Sequence, residues 1–140
     1  MRTDLSRALT HLREGGYTCV LCREDTLLTA TERGVAPLLT FLESEHELHG
    51  FSAADRVVGK AAAFLYVLLG VDALYAEVLS KPAKDVLAQY GILVEYGTLV
   101  ESIRNRAGDG FCPMEQAVWS ITNPADALTA ILEKRRALRG

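Results

Sequence analysis

The sequence predicts an α/β fold, a single-domain three-layer sandwich with a mixed central sheet, on three observations. Tyr17–Cys22 and Thr26–Thr31 are rich in strand formers and flank the polar turn Arg23–Asp25, which reads as a hairpin. The apolar run Asp72–Leu79, a helix opened by Pro82 and the run Ile92–Tyr96 follow one another with short joins, the order of a parallel crossover unit. Helical stretches before, between and after these runs supply cover for both faces of the sheet.

Taken in order, Leu5–Glu14 places Leu5, Ala8, Leu9 and Leu12 at helical spacing, and Gly15-Gly16 stops it. After the hairpin, Pro37 falls in the first turn of a helix running from Gly34 to about His46, where its missing N–H costs nothing. His46–Gly50 is a polar loop. The longest apolar segment, Ser52–Leu69, reads as one central helix with Ser52 as N-cap, Asp55 as the acid of a capping box and Gly70 as left-handed C-cap. Lys60 then lies in its middle, where a buried helix has no need of a lysine. The strand Asp72–Leu79, with Glu77 its exception, leads to a helix over Ala83–Tyr90 ended by Gly91, and then to the strand Ile92–Tyr96. Helical stretches are expected at Val100–Arg106, Gln116–Thr122 and Pro124–Leu138, around the glycine-rich loop Gly108–Glu115; Asn123 caps the last helix and Pro124 opens it.

With 140 residues, no internal repeat and no linker, the chain fits one domain able to bury a core without disulfides. A composition of 49% hydrophobic and 24% charged residues is that of a globular protein. The formal charge of -3 and pI near 5.6 argue against a nucleic-acid partner, and the basic residues Lys134–Arg136 and Arg139 suit a helix C-terminus. The N-terminus carries no apolar leader and no helix is long enough to span a membrane, so a cytoplasmic protein without a membrane partner is expected. Three cysteines fit a reducing compartment. Cys19 and Cys22 stand three apart in a strand and so point to opposite faces, which disfavours chelation by both. His46 and His49 are one residue short of the metalloprotease spacing.

The order of elements across Tyr17–Tyr96 resembles the cytidine-deaminase-like fold. The stretches Asp55–Ala63 (Asp-Arg-Val-Val-Gly-Lys-Ala-Ala-Ala), Tyr75–Ser80 and Cys112–Glu115 are similar to a bacterial and archaeal family of unknown function assigned to that fold, and the similarity covers nearly the whole domain. Zinc deaminases carry a His or Cys with a proton-shuttling Glu at the start of the central helix and Pro-Cys-x-x-Cys at the next one. Here those places hold Gly59-Lys60-Ala61 and Pro82–Asp85, so the resemblance implies a scaffold without zinc or other cofactor.

Lys60 stands where the resemblance puts the chemistry. With Gly59 before it, it suits gripping a phosphate at a helix N-terminus or acting as a nucleophile, against the plain alternative of a lysine whose stem packs on the core. Cys112 at a helix start favours a thiolate, with Glu115 expected to close a capping box behind it, against the plain alternative of a small buried cysteine with a cap; Asp109 is a further candidate for the same cleft. Glu77 pairs with a cation such as Lys60 or faces a cleft with Ser80 and Lys81 at a strand's carboxyl end. The candidate ligand-binding set is therefore Asp55, Gly59, Lys60, Glu77, Ser80, Lys81, Asp109 and Cys112, with Lys60, Cys112 and Glu115 as catalytic candidates and no metal ligands. The expected function is binding of a nucleotide-like or ribose-phosphate molecule. The alternatives are an enzyme with Lys60 or Cys112 as nucleophile, or a homo-oligomeric interaction module.

Overall fold

A computed structural model describes residues 3–44, 48–104, 108 and 110–139. The elements are α1 (Thr3–Gly15), β1 (Cys19–Arg23), β2 (Thr26–Ala30), α2 (Ala36–Glu43), β3 (Ser52–Val58), α3 (Lys60–Leu69), β4 (Ala73–Ser80), α4 (Lys81–Gln89), β5 (Leu93–Val100), α5 (Pro113–Ala117) and α6 (Pro124–Arg139). They form an α/β domain around one five-stranded mixed sheet of order β2-β1-β3-β4-β5. The hairpin β1–β2 is antiparallel and β1 also runs antiparallel to β3, while β3, β4 and β5 are parallel.

One expectation is corrected at the centre of the fold. Ser52–Val58 is not the first half of a helix but the middle strand of the sheet, hydrogen-bonded to β1 on one side and β4 on the other. Ser52 caps nothing; its hydroxyl is buried and has no hydrogen-bond partner among the described residues. Asp55 is a buried strand residue and not a capping acid. The helix begins only at Lys60, so this lysine stands at its N-terminus. The expected C-cap holds: Gly70 adopts φ 83°, and its N–H bonds the carbonyls of Tyr66 and Val67.

The period of two along β1 divides the core. Val20 and Cys22 face α1, where Leu5, Ala8, Leu9 and Leu12 cover them together with Ala54, Ala73 and Tyr75. Cys19 and Leu21 face the other side, with Ala53, Leu74 and Ala76 under Phe64, Leu65 and Leu69 of α3. The two cysteines thus lie on opposite faces. Around α3 pack α2, α4 and α6, which completes three layers. The alanines at 61–63, all buried, let α3 approach the sheet closely.

The crossover β4–α4–β5 is as expected, with Ser80 as N-cap of α4: its hydroxyl accepts from the Ala83 amide at 3.2 Å. Asn123 caps α6 in the same way, accepting from the Asp126 amide at 2.9 Å. Three other stretches differ from expectation. Val100 ends β5 and Arg104 forms an isolated bridge with Phe111, so the described part of Val100–Arg106 is not helical. The short helix α5 starts at Pro113 and covers only the first two residues of the expected Gln116–Thr122 helix. On the other side of the fold α2 ends at Glu43, and His46 lies outside the described residues. Among the described residues no helix is long and apolar enough to cross a membrane.

Candidate functional site

A cleft of ≈ 790 Å³ opens at the carboxyl end of β3. Open α/β sheets hold their ligands at this end of the strands. Its floor comes from Cys19 at the start of β1, from Asp55 near the end of β3 and from the first turn of α3. One wall is the loop Glu32–Val35 after the hairpin; the other is a strap made of Ile103, Arg104 and Cys112–Glu115. The strap is fastened at its base, where Arg104 bridges Phe111 and the Cys112 amide bonds the Ile103 carbonyl at 3.2 Å.

Glu115 reaches from this strap to the start of α3. Its two oxygens accept from the amides of Lys60 at 2.7 Å and Ala61 at 2.9 Å. A carboxylate against two orphan amides at the positive end of a helix is a favourable pairing, and it supplies the N-cap that Gly59 lacks. Gly59 makes room for it: a Cβ there would lie 2.3 Å from Glu115 Oε1. The Gly59 backbone itself is extended and unstrained, so only this close approach calls for glycine. Burial pushes the Glu115 carboxyl up, opposed by the two amides and the charge of Lys60. The expected capping box is therefore corrected: Glu115 caps α3, 55 residues away in the chain, and not its own helix.

Asp55 forms the second polar group of the floor. Its Oδ2 accepts from the Tyr66 hydroxyl at 2.6 Å, and the Cys19 thiol lies 3.2 Å from that hydroxyl oxygen, so the three side chains form one buried chain. Burial raises the Asp55 carboxyl to about 7, against the Tyr66 hydrogen bond, the amides of Val57 and Arg56 and the charge of Arg56. Burial and the neighbouring Asp55 charge also raise Tyr66 and Cys19 well above their ordinary values. Arg56 does not lean on Asp55. Its guanidinium donates to the carbonyls of Tyr17 at 2.8 Å and Leu12 at 3.0 Å, tying the end of α1 to β3, and meets Glu77 at 3.4 Å.

Of the expected residues, Asp55, Gly59, Cys112 and Glu115 converge on the cleft. Lys60 starts the helix beside it, but its ammonium turns out to the Trp119 carbonyl at 3.1 Å and lies 5.8 Å from the centre of the Phe64 ring. Glu77 pairs with Arg56 and not with Lys60. Ser80 is a buried cap, and Lys81 makes an exposed pair with Glu101 at 2.5 Å; neither lines the cleft. Because that pair is solvated, Glu101→Ala is expected to change unfolding free energy by less than about 0.5 kcal/mol in urea titration, a control for the larger effects below. Asp109 lies outside the described residues. Sequence reasoning missed Cys19, Tyr66, Arg33 and Arg104; the first two carry polar atoms within apolar runs, and the last two are brought in by loops. Among the described residues no three His, Cys, Asp or Glu side chains gather as a metal site.

A family model described as domain of unknown function DUF1893 (TM1506) matches residues 7–134. All three stretches that carry the resemblance fall within that span. The crystal structure of a DUF1893 family protein (TM1506) from Thermotoga maritima superposes with a TM-score of 0.88 at 24% identity, over 96% of this chain and 92% of that one. The dCMP deaminase of the cyanophage S-TIM5, in apo form, superposes with a TM-score of 0.46 at 14% identity, over 69% of this chain and 99% of that one. No curated protein matches.

Proposed function

We propose that this chain, which belongs to the DUF1893 family of unknown function, binds a small nucleotide-like or ribose-phosphate molecule in the cleft at the end of β3. The observation that carries this reading is the make-up of the cleft: the exposed residues Arg33 and Arg104 are among those that line it, the Arg104 guanidinium lying 4.8 Å from the centre of the Phe111 ring, together with the buried Asp55 and Glu115. Guanidinium groups recognise phosphate through paired N–H donors, and a buried polar floor fixes the orientation of what enters. The anion-holding role expected of Lys60, the Gly59 backbone and Ser80 passes in this reading to the two arginines. The amides that begin α3 already serve Glu115, and the Ser80 hydroxyl already serves α4.

Thermal unfolding in the presence of AMP, CMP, GMP, UMP and ribose 5-phosphate tests the reading. A compound present at 100 times its Kd is expected to add about 2.7 kcal/mol, a rise of several degrees in Tm. The response should shrink in an Arg33→Ala, Arg104→Ala double variant. Cys112, partly exposed on the same cleft, supplies a second readout, since the bound compound should slow its alkylation by iodoacetamide. A flat response across the panel, with alkylation unchanged, overturns the reading.

A further inference from the structure

We propose that β5 is a two-fold interface, pairing antiparallel with β5 of a second copy of this chain so that the two sheets run on as one. β5 is the last strand in the sheet order, and β4 is the one strand that pairs with it among the described residues. The amides and carbonyls of its outer side therefore point away from the sheet. The strand is long for an edge, eight residues, and none of them is buried, whereas most of β4 is. Its residue types are nonetheless those of an inner strand. Leu93, Val94, Tyr96, Leu99 and Val100 are apolar, Glu95 is its single charge, and it holds no proline or lysine. Leu93 is 50% exposed and Tyr96 38%, with Tyr90 just before the strand at 39%. Soluble proteins blunt their sheet edges with short strands, charges or proline. The opposite edge, β2, is built that way: five residues set between the charged turn Arg23–Asp25 and Glu32-Arg33. β5 is not.

That the occupant is a second copy follows from the strand's own sequence. A two-fold axis normal to the sheet sets residues of the same face opposite one another, so one residue of β5 must face its own copy. The two registers of greatest overlap put Tyr96 or Gly97 at that centre. With Tyr96 there, Leu93 faces Leu99, Val94 faces Thr98 and Glu95 faces Gly97. With Gly97 there, Val94 faces Val100, Glu95 faces Leu99 and Tyr96 faces Thr98. Neither register sets the two Glu95 carboxylates opposite each other, and both oppose the apolar, aromatic and β-branched residues that favour cross-strand pairing. The pairing also closes. β5 against β2 of the next copy would be head-to-tail, leaving a free edge at each end for further growth, whereas β5 against β5 covers the open edge of both copies and leaves only the two short β2 edges. No residue of β5 lines the cleft, so this inference and the ligand reading stand separately.

The test measures molar mass by light scattering at about 100 µM for the wild type and the double variant Tyr96→Glu, Thr98→Glu, together with residue-resolved amide exchange of the wild type by NMR. The variant opposes like charges in either register: the new carboxylate at position 96 meets its own copy in one and the carboxylate at position 98 in the other. Both positions are exposed, and Lys84, whose ammonium lies 5.4 Å from the centre of the Tyr96 ring, pairs within the chain with a carboxylate at 96, so the fold is kept. The wild type should show twice the chain's 15.3 kDa, and the variant the mass of one chain with an unchanged far-UV spectrum. In the wild-type dimer the β5 amides should exchange slowly at consecutive residues from Val94 to Leu99, because both sides of the strand are paired; an uncovered edge protects only alternate ones. A monomeric wild type overturns the inference. So does a species larger than a dimer, a dimer with slow exchange at alternate β5 residues only, or a folded variant that remains dimeric. If the variant does not fold, the mass and exchange pattern of the wild type decide.

Discussion

Glu115→Ala is expected to lower the unfolding free energy by about 2–4 kcal/mol, because it strips the acceptor from two amides at the start of α3 and cuts the strap from the core. Each buried donor left without a partner costs about 1–3 kcal/mol, and loss of an N-cap about 0.5–2 kcal/mol; the two estimates describe the same bonds from different sides and do not add. Gly59→Ala attacks the same contact from below. Its new methyl group would sit 2.3 Å from Oε1 and 2.5 Å from Cδ of Glu115, well inside contact distance, so the carboxylate must withdraw. Withdrawal costs the same two hydrogen bonds, and the backbone at 59 adds no strain of its own. The double variant is the decisive measurement. Once Glu115 has become alanine there is nothing for the methyl group to strike, so the double variant should be destabilised about as much as Glu115→Ala alone. Urea titrations of the four proteins measure this; single costs that simply add would show that Gly59 and Glu115 do not share one contact.

The same contact marks where sequence reasoning stopped. That the strap approaches Gly59 depends on the fold of the whole sheet, and no local pattern encodes a bond spanning 55 residues. The chemistry of Glu115 as a capping acid was nevertheless readable, and only the helix it caps differs. The central strand was hidden for a different reason. Ser52-Ala-Ala-Asp55 carries the residue types of an N-cap and capping box, and runs of alanine favour helix, while the strand-forming pair Val57-Val58 comes only at its end. Burial between two neighbours, β1 and β4, overrides that local preference. The peripheral elements were legible because their signals are local: the turn at Arg23–Asp25, Pro82 and Gly91 around α4, and Asn123-Pro124 before α6. Lys60 stands out in the sequence as a lysine within a long apolar segment, and Gly59 as a residue that lets a ligand or another backbone come close. In the structure they are where a strand gives way to a helix, and that junction, rather than the lysine's charge, builds the cleft.

Asp55 should make the protein less stable as pH rises from about 4 to about 7. In the unfolded chain its carboxyl titrates at the ordinary value of 3.8, and in the folded state at about 7. The folded state therefore holds its proton more tightly and binds more protons than the unfolded chain across that window, so unfolding free energy falls with increasing pH. Below the lower value both states are protonated and the contribution is fully present; above the upper value both are ionised and it is lost. A gap of about three pH units corresponds to on the order of 4 kcal/mol at 1.36 kcal/mol per unit. Glu115, also raised by burial, pushes in the same direction, and solvated carboxylates elsewhere contribute their own terms. Comparison with Asp55→Asn removes these common contributions. The variant keeps an acceptor for the Tyr66 hydroxyl and cannot ionise, so its stability relative to the wild type should climb by on the order of 4 kcal/mol between pH 4 and pH 8 in urea titrations. Tyr66→Phe adds a check of opposite sense. Removing the hydroxyl that holds the charged form should deepen the wild-type loss above pH 7 by about 1–3 kcal/mol and matter less at pH 4, where the carboxyl is neutral. If the difference between Asp55→Asn and the wild type stays flat across this range, the carboxyl is as well solvated in the fold as in the unfolded chain. The floor of the cleft would then be wet and ionised.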